Sequence, residues 1–227
     1  MNSDLQGMAA GLRLLQLSDS AFPTGAYAFS DGLETLTQNG TVRTAADLSA
    51  FLGGQLLHGW GTQDVPACAL AWQAAAGSDT AAQLAELDDL LDSLKLVEGP
   101  RLASLRVGAN LSRAARRLWP EATADLPATR HHAVTFGAAA QRLGAAQAAA
   151  VGAYVSSWLL GRATSATRLM KVGGLDAQAA AAACEPQALA CIRFALAAGP
   201  EDLGGFSPVL DAAAARQATL AERLFQT

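Results

Sequence analysis

The sequence predicts an all-α fold, a single-domain bundle of about ten helices over residues 1–227. Three observations carry this reading. Hydrophobic residues make up 51% of the chain but aromatics only 6%, and much of the apolar content is alanine. Alanine has the highest helix propensity, and small side chains let helices approach closely. Apolar residues then recur at three- and four-residue spacing in segment after segment, with Gly and Pro between them. No strand pattern, internal repeat or long linker interrupts the series. A chain of 227 residues is long enough to bury a real core.

The first helix runs through Leu17. Ser18, Asp19 and Ser20 then offer competing side-chain hydrogen bonds, Pro23 removes a donor, and Gly25 permits positive φ. A second helix is expected from about Ala26 to Gln38, stopped by Asn39-Gly40. Thr44 reads as an N-cap, with Asp47 three residues on in a capping-box arrangement. Leu48, Phe51, Leu52, Leu56 and Trp60 follow on one face. The next helix is expected over about Val65 to Ala76, entered by Pro66 in its first turn, and Gly77-Ser78-Asp79 is a loop.

Leu84, Leu87, Leu91 and Leu94 mark an amphipathic helix that Gly99-Pro100 ends. Arg101 to Trp119 is the next, stopped by Pro120, and Glu121 to Arg130 is a loop. Helices follow over about His132 to Leu143 and Ala145 to Arg168, separated at Gly144. Val151, Tyr154, Val155, Trp158 and Leu159 form the core stripe of the longer one. After Gly173-Gly174 come two alanine-rich helices, about Asp176 to Cys184 and Pro186 to Ala198. A Gly/Pro loop precedes the last helix, about Pro208 to Leu224.

Composition excludes several function classes. The formal net charge is −4 and no lysine or arginine block occurs, which argues against nucleic acid. Charged residues are 16%, a low share. Such a surface exposes more apolar area and suits a protein that buries it against partners; a plain bias toward alanine explains it equally. Cys68, Cys184 and Cys191 are odd in number and irregular in spacing, as expected of a reducing cytoplasm. The N-terminal MNSDLQGMAAGLRLLQ lacks the pattern of a secretion signal, and no apolar run reaches membrane-spanning length.

Asp88-Asp89-Leu90-Leu91-Asp92 is a DDxxD pattern, the arrangement by which all-α isoprenoid synthases hold magnesium against a diphosphate. That chemistry wants a second acidic motif, which the sequence lacks. The alternative is a solvated acidic face, since the aspartates lie mostly off the leucine stripe. His131 and His132 project about 100° apart on a helix and cannot share one metal there. No CxxC or HxxxH spacing occurs, so neither a metal site nor an intrinsic cofactor is expected. No phosphate loop or nucleophile motif is present, and a non-enzyme is expected. Arg162, Arg168 and Lys171 sit where cations complement a helix dipole. Arg216 and Arg223, seven apart, share a face of the expected last helix.

One segment is far more specific. Leu14 to Glu34, LLQLSDSAFPTGAYAFSDGLE, carries Tyr27 and Phe29 two residues apart and then Gly32-Leu33-Glu34. It resembles the N-terminal signature of the UreF family, the F-type urease accessory proteins. The likeness runs nearly end to end. It includes His132 to Gly144, Ala153-Tyr154-Val155, Ser157-Trp158-Leu159, Arg168-Leu169, Val172-Gly173, Asp176-Ala177-Gln178, Ser207-Pro208 with Asp211, and Arg223-Leu224-Phe225. Six positions depart from it, and two of these, Tyr27 and Phe29, look like the family's Phe and Tyr with the hydroxyl exchanged. Lys171 stands where the family usually has proline, and Gly174 where it usually has glutamine. Gln217-Ala218 replaces a common His-Glu pair.

The resemblance implies a cytoplasmic homodimer that bridges a UreD/UreH-type accessory protein and the UreG-type GTPase for nickel delivery to apo-urease. It implies that the nickel is handled by the complex and that the GTPase step is modulated. By carry-over, Tyr27, Phe29 and Glu34 order the N-terminal region. Arg168 and Tyr154 are candidates for the GTPase contact, and Arg216, Arg223 and Phe225 for docking the UreD/UreH-type partner. Short N- and C-terminal segments are expected to be mobile until bound. The other readings are a diverged UreF paralogue without a urease role and a small magnesium-dependent isoprenoid enzyme built on Asp88, Asp89 and Asp92.

Overall fold

A computed structural model describes residues 3–226. Among them are twelve α-helices and no β-strand beyond one isolated bridge. The helices are α1 (Ser3–Ser18), α2 (Leu33–Gln38), α3 (Ala45–His58), α4 (Trp60–Ala76), α5 (Thr80–Leu94) and α6 (Glu98–Leu118). They continue as α7 (Pro120–Thr123), α8 (His132–Arg142), α9 (Gln147–Leu169), α10 (Gly174–Ala182), α11 (Glu185–Ala197) and α12 (Pro208–Gln217). Ten have seven or more residues, so the all-α bundle of about ten helices is the observed fold.

The bundle is built around α4, which packs against α3, α5, α8, α9 and α11. Its side chains are mostly small: Ala67, Cys68, Ala69, Ala71 and Ala75 are fully buried. Small side chains bring neighbouring axes close. At the crossing of α4 and α8, a Cβ on Gly137 would run into the backbone of Cys68. The indole of Trp72 donates to the Ala145 carbonyl at 2.9 Å, and Gln147 donates to the Ala69 carbonyl at 3.1 Å. These two bonds pin the start of α9 to the central helix. Thr44 and Asp47 form the expected capping box at the start of α3.

Several expected boundaries move, each for a local reason. The helix expected over Ala26–Gln38 is cut in two. Only a 3-10 turn forms at Ala26–Ala28, because Asp31 and Gly32 take left-handed φ values of 50° and 82°. α4 starts at Trp60, after a break at Gly59, so Pro66 lies inside the helix rather than at its entrance. A proline there has no N–H to offer the carbonyl four residues back. That carbonyl, on Thr62, instead accepts the Gly204 amide at 3.1 Å and holds the loop before α12 against the bundle. Gly99-Pro100 falls in the first turn of α6 instead of ending α5. The loop after Trp119 contains the short α7. α12 ends at Gln217 and residues 218–226 run irregularly, so Arg216 and Arg223 do not share a helical face.

The DDxxD aspartates do not share one environment: Asp88 is buried, Asp92 half-buried and Asp89 exposed. Asp88 is buried and accepts the Arg130 and His131 amides at 2.8 and 2.9 Å, fixing the entry to α8. Asp89 pairs with the Arg130 guanidinium. Asp92 takes Arg101 at 2.8 Å and the His131 ring at 3.0 Å. Each carboxylate is spent on a different protein donor, so the isoprenoid-enzyme reading loses its motif.

Candidate partner-binding site

The N-terminal motif, the end of α9 and the C-terminal tail meet in one place. Positive φ at Asp31 and Gly32 turns the chain so that Phe29 and Glu34 both point inward. Gly32 also has no room to spare, since a Cβ there would lie 3.2 Å from the Ala214 amide of α12. Asp31 accepts the Trp158 indole at 3.3 Å and pairs with Arg162 at 3.1 Å. Arg162 also donates to the Phe29 carbonyl, tying the motif to α9.

Glu34 is fully buried in the first turn of α2, where a helix N-terminus favours negative charge. Its carboxylate accepts the Leu224 amide at 2.6 Å and the Phe225 amide at 3.3 Å. It also accepts the Gln217 side-chain amide at 3.2 Å. Ser30 donates to the Gln217 oxygen at 3.2 Å, which satisfies the other end of that amide. The tail then crosses the motif, where the Gln226 amide donates to the Ala28 carbonyl at 2.7 Å in an isolated parallel bridge with Phe29. Phe225 is buried beneath the Arg168 guanidinium, which lies 4.8 Å from its ring centroid. That distance fits a cation–π contact.

Four of the eight sequence-predicted residues, Phe29, Glu34, Arg168 and Phe225, therefore form a single cluster. Tyr27, Arg216 and Arg223 lie on the surface. Tyr154 is 99% buried, packed against Trp60, His132 and Phe136 with centroids 5.1 Å away in each case. The expected direct contact between Tyr154 and a GTPase is corrected to an internal role, because the ring has no surface to offer. Ser30, Asp31, Arg162 and Gln217 belong to the cluster but carry no sequence signal as a group, since their partners lie more than a hundred residues away.

Beside the cluster lies a cavity of ≈ 260 Å³, whose lining includes Asp64, Lys95, His132, Tyr154, Trp158 and Arg162. Asp64 and Lys95 form a buried pair at 2.7 Å. Burial, reinforced by Lys95, pushes the His132 imidazole down to about 4. Burial also lowers His131 and raises the Tyr154 phenol well above its ordinary value. The Cys68 thiol is raised by burial too and is held protonated. Among the described residues, no three His, Cys, Asp or Glu side chains converge in a metal-ligating group. The cavity wall includes the His132 imidazole, the Asp64–Lys95 and Asp31–Arg162 ion pairs and the faces of Trp60, Tyr154 and Trp158.

The family model UreF matches residues 42–185. The chain belongs to the UreF family. It is 31% identical to the urease accessory protein UreF of Methylorubrum populi, over 97% of this chain and all of that one. The same protein of Chromohalobacter salexigens is 32% identical over 94% of this chain and 93% of its own. That of Mesorhizobium japonicum is 31% identical over 99% and 100%. UreF is a family of accessory proteins, and the chain is an accessory protein rather than an enzyme. No helix among the described residues is long and apolar enough to cross a membrane.

Proposed function

We propose that this UreF-family protein is a cytoplasmic homodimeric scaffold for urease maturation. It bridges a UreD/UreH-type accessory protein and a UreG-type GTPase, modulates the GTPase step, and so serves nickel insertion into apo-urease. Nickel is cargo of the assembled complex, and the chain itself carries no cofactor. The observation that carries the reading is the meeting of Phe29, Glu34, Arg168 and Phe225 in one cluster, on a chain that aligns with urease accessory proteins along nearly its whole length. A scaffold needs rigid helices and anchoring aromatic or arginine side chains at an interface, not a catalytic constellation. A two-fold dimer presents each partner site twice.

In this reading the C-terminal tail is the adjustable part. Two of its amides, Leu224 and Phe225, are held by the Glu34 carboxylate, and it orders fully when a partner covers it. Arg216 at the end of α12 and Arg223 in the tail are the exposed cations for the UreD/UreH-type partner, and Tyr27 extends the surface at the motif. Co-expression of the chain with both partners, followed by size exclusion with light scattering, tests the proposal. A co-eluting ternary species built on two copies of this chain is expected. Elution of the chain alone, with both partners in excess, would sink the reading.

A further inference from the structure

Between Glu98 and Glu121 the chain has five arginines and no acid. They are scattered in the sequence, but α6 brings three of them into line. Arg106, Arg113 and Arg117 are spaced by seven and four, so their directions on the helix agree within about 40°. All three are exposed, while Gly108, Leu111 and Ala115 on the opposite face are buried in the bundle. The row extends about 16 Å along α6. Arg101 of the same helix is paired with Asp92, but no ion pair among the described residues involves the row. Arg117, in the last turn, complements the helix dipole. That effect does not reach Arg106 or Arg113, and like charges four apart, as at Arg113 and Arg117, repel each other. The row is also joined to the N-terminal motif. Arg113 donates to the Asn110 side-chain oxygen at 3.2 Å, and Asn110 donates to the Thr24 carbonyl at 2.9 Å, just ahead of the exposed Tyr27.

We propose that this arginine row docks an acidic face of a partner protein, with carboxylates set against the guanidinium groups. Charge fixes the sign of the occupant, and the planar guanidinium fork matches a carboxylate with two parallel hydrogen bonds. Three other anionic occupants fit less well. A nucleic-acid duplex carries a charge about every 1.7 Å along its axis and extends far beyond a short row. A chain of net charge −4 is repelled over the rest of such a contact. A lipid surface needs a second signal besides a basic patch, and no large apolar side chain stands in the row to insert. A second copy related by a two-fold axis near α6 would set the row against itself. An acidic protein face matches the row over its short length and can cover Tyr27 beside it. The choice of a protein rests on the proposed function above. Charges at the rim of an interface act mainly on encounter rate and salt dependence, so the row steers the partner onto the motif.

The probe is fluorescein-labelled oligoglutamate, and its binding to the full chain is read by anisotropy at rising salt. The wild type should bind, and progressively less tightly as salt screens the row. Arg106→Glu/Arg113→Glu/Arg117→Glu should bind at least tenfold more weakly, and so should the neutral triple Arg106→Gln/Arg113→Gln/Arg117→Gln, both with unchanged helix content by circular dichroism. Arg13→Glu/Arg43→Glu/Arg193→Glu makes the same charge change at exposed sites elsewhere and should stay within about threefold of wild type. Equal weakening by this control would reduce the effect to net charge and overturn the assignment, as would wild-type affinity in the Gln triple. Duplex DNA or phosphatidylglycerol vesicles bound more tightly than oligoglutamate, and released by the row variants, would give the row to nucleic acid or to a membrane. A fall in oligomeric state of the row variants on light scattering would give it to a second copy. Each of these results overturns it as well. A ternary complex that forms while the wild-type chain ignores oligoglutamate would overturn this assignment alone. Row-dependent oligoglutamate binding without a ternary complex would support the assignment and overturn the proposed function.

Discussion

Glu34 is where single atoms decide most. One buried carboxylate holds two tail amides and the Gln217 side chain. Glu34→Ala strands three donors, and a stranded buried donor costs about 1–3 kcal/mol. The tail can escape to water, so the global cost stays near the low end of that range. The local effect is larger: amide exchange at Leu224 and Phe225 should become fast while the core of α4 keeps its protection. Unchanged protection of those two amides would show that Glu34 does not hold the tail. His132 gives a pH signature. Its native value near 4 lies below the ordinary 6.5, so as pH falls below 6.5 the unfolded chain takes up a proton first. Stability then drops between pH 6.5 and about 4 and levels off below. His131 is shifted the same way, whereas Asp88 and Asp211, raised by burial, act oppositely from 3.8 upward. His132→Asn should flatten the slope of unfolding free energy across this window by up to about 1.4 kcal/mol per pH unit. Parallel urea-denaturation curves for variant and wild type at every pH would refute the assignment.

Among the helices, the close crossing of α4 and α8 sets the geometry that everything else leans on. Gly137→Ala would drive a Cβ into the Cys68 carbonyl, and backbone cannot move aside cheaply. Overpacking costs about 1–3 kcal/mol, against about 1 kcal/mol gained in helix propensity. A net loss and a lower melting temperature are expected. Gly152→Ala in α9 is the control, because its Cβ meets nothing, and it should raise stability by up to about 1 kcal/mol. Equal effects at the two sites would mean that α4 and α8 are not in close contact. The helices were legible in the sequence wherever the signal was local. The leucines at 84, 87 and 91 and the Thr44–Asp47 cap needed only neighbours within one or two turns. The break at Asp31-Gly32 was hidden because apolar spacing continues across it, and the end of α12 because Gln217 is recruited by Glu34, 183 residues away. Asp88 misled for the same reason, its partners lying 42 and 43 residues downstream.

At the scale of the molecule, the fold brings together two candidate residues, Arg168 and Phe225, that the family resemblance links to different partners. Arg168 ends the long helix α9, and Phe225 lies in a tail that reaches it only after the chain has passed through α10, α11 and α12. Reading along the chain gave no reason to place them together. The guanidinium now covers the buried ring, so the orientation of one depends on the other. A change in the tail must therefore be felt at the GTPase-facing candidate, and the converse. Sites that share no contact give effects that add within about 0.3–0.5 kcal/mol, whereas contacting residues couple by about 0.5–3 kcal/mol. Arg168→Ala and Phe225→Ala should each weaken binding of a UreG-type GTPase to the preformed complex with the UreD/UreH-type protein. The effect of Arg168→Ala should be much smaller in the Phe225→Ala background, because the residue that orients the guanidinium is already gone. Titration calorimetry on the four proteins of this cycle measures the coupling directly. Strict additivity would mean that the tail and the end of α9 engage their partners independently, and that the contact between them serves only to close the bundle.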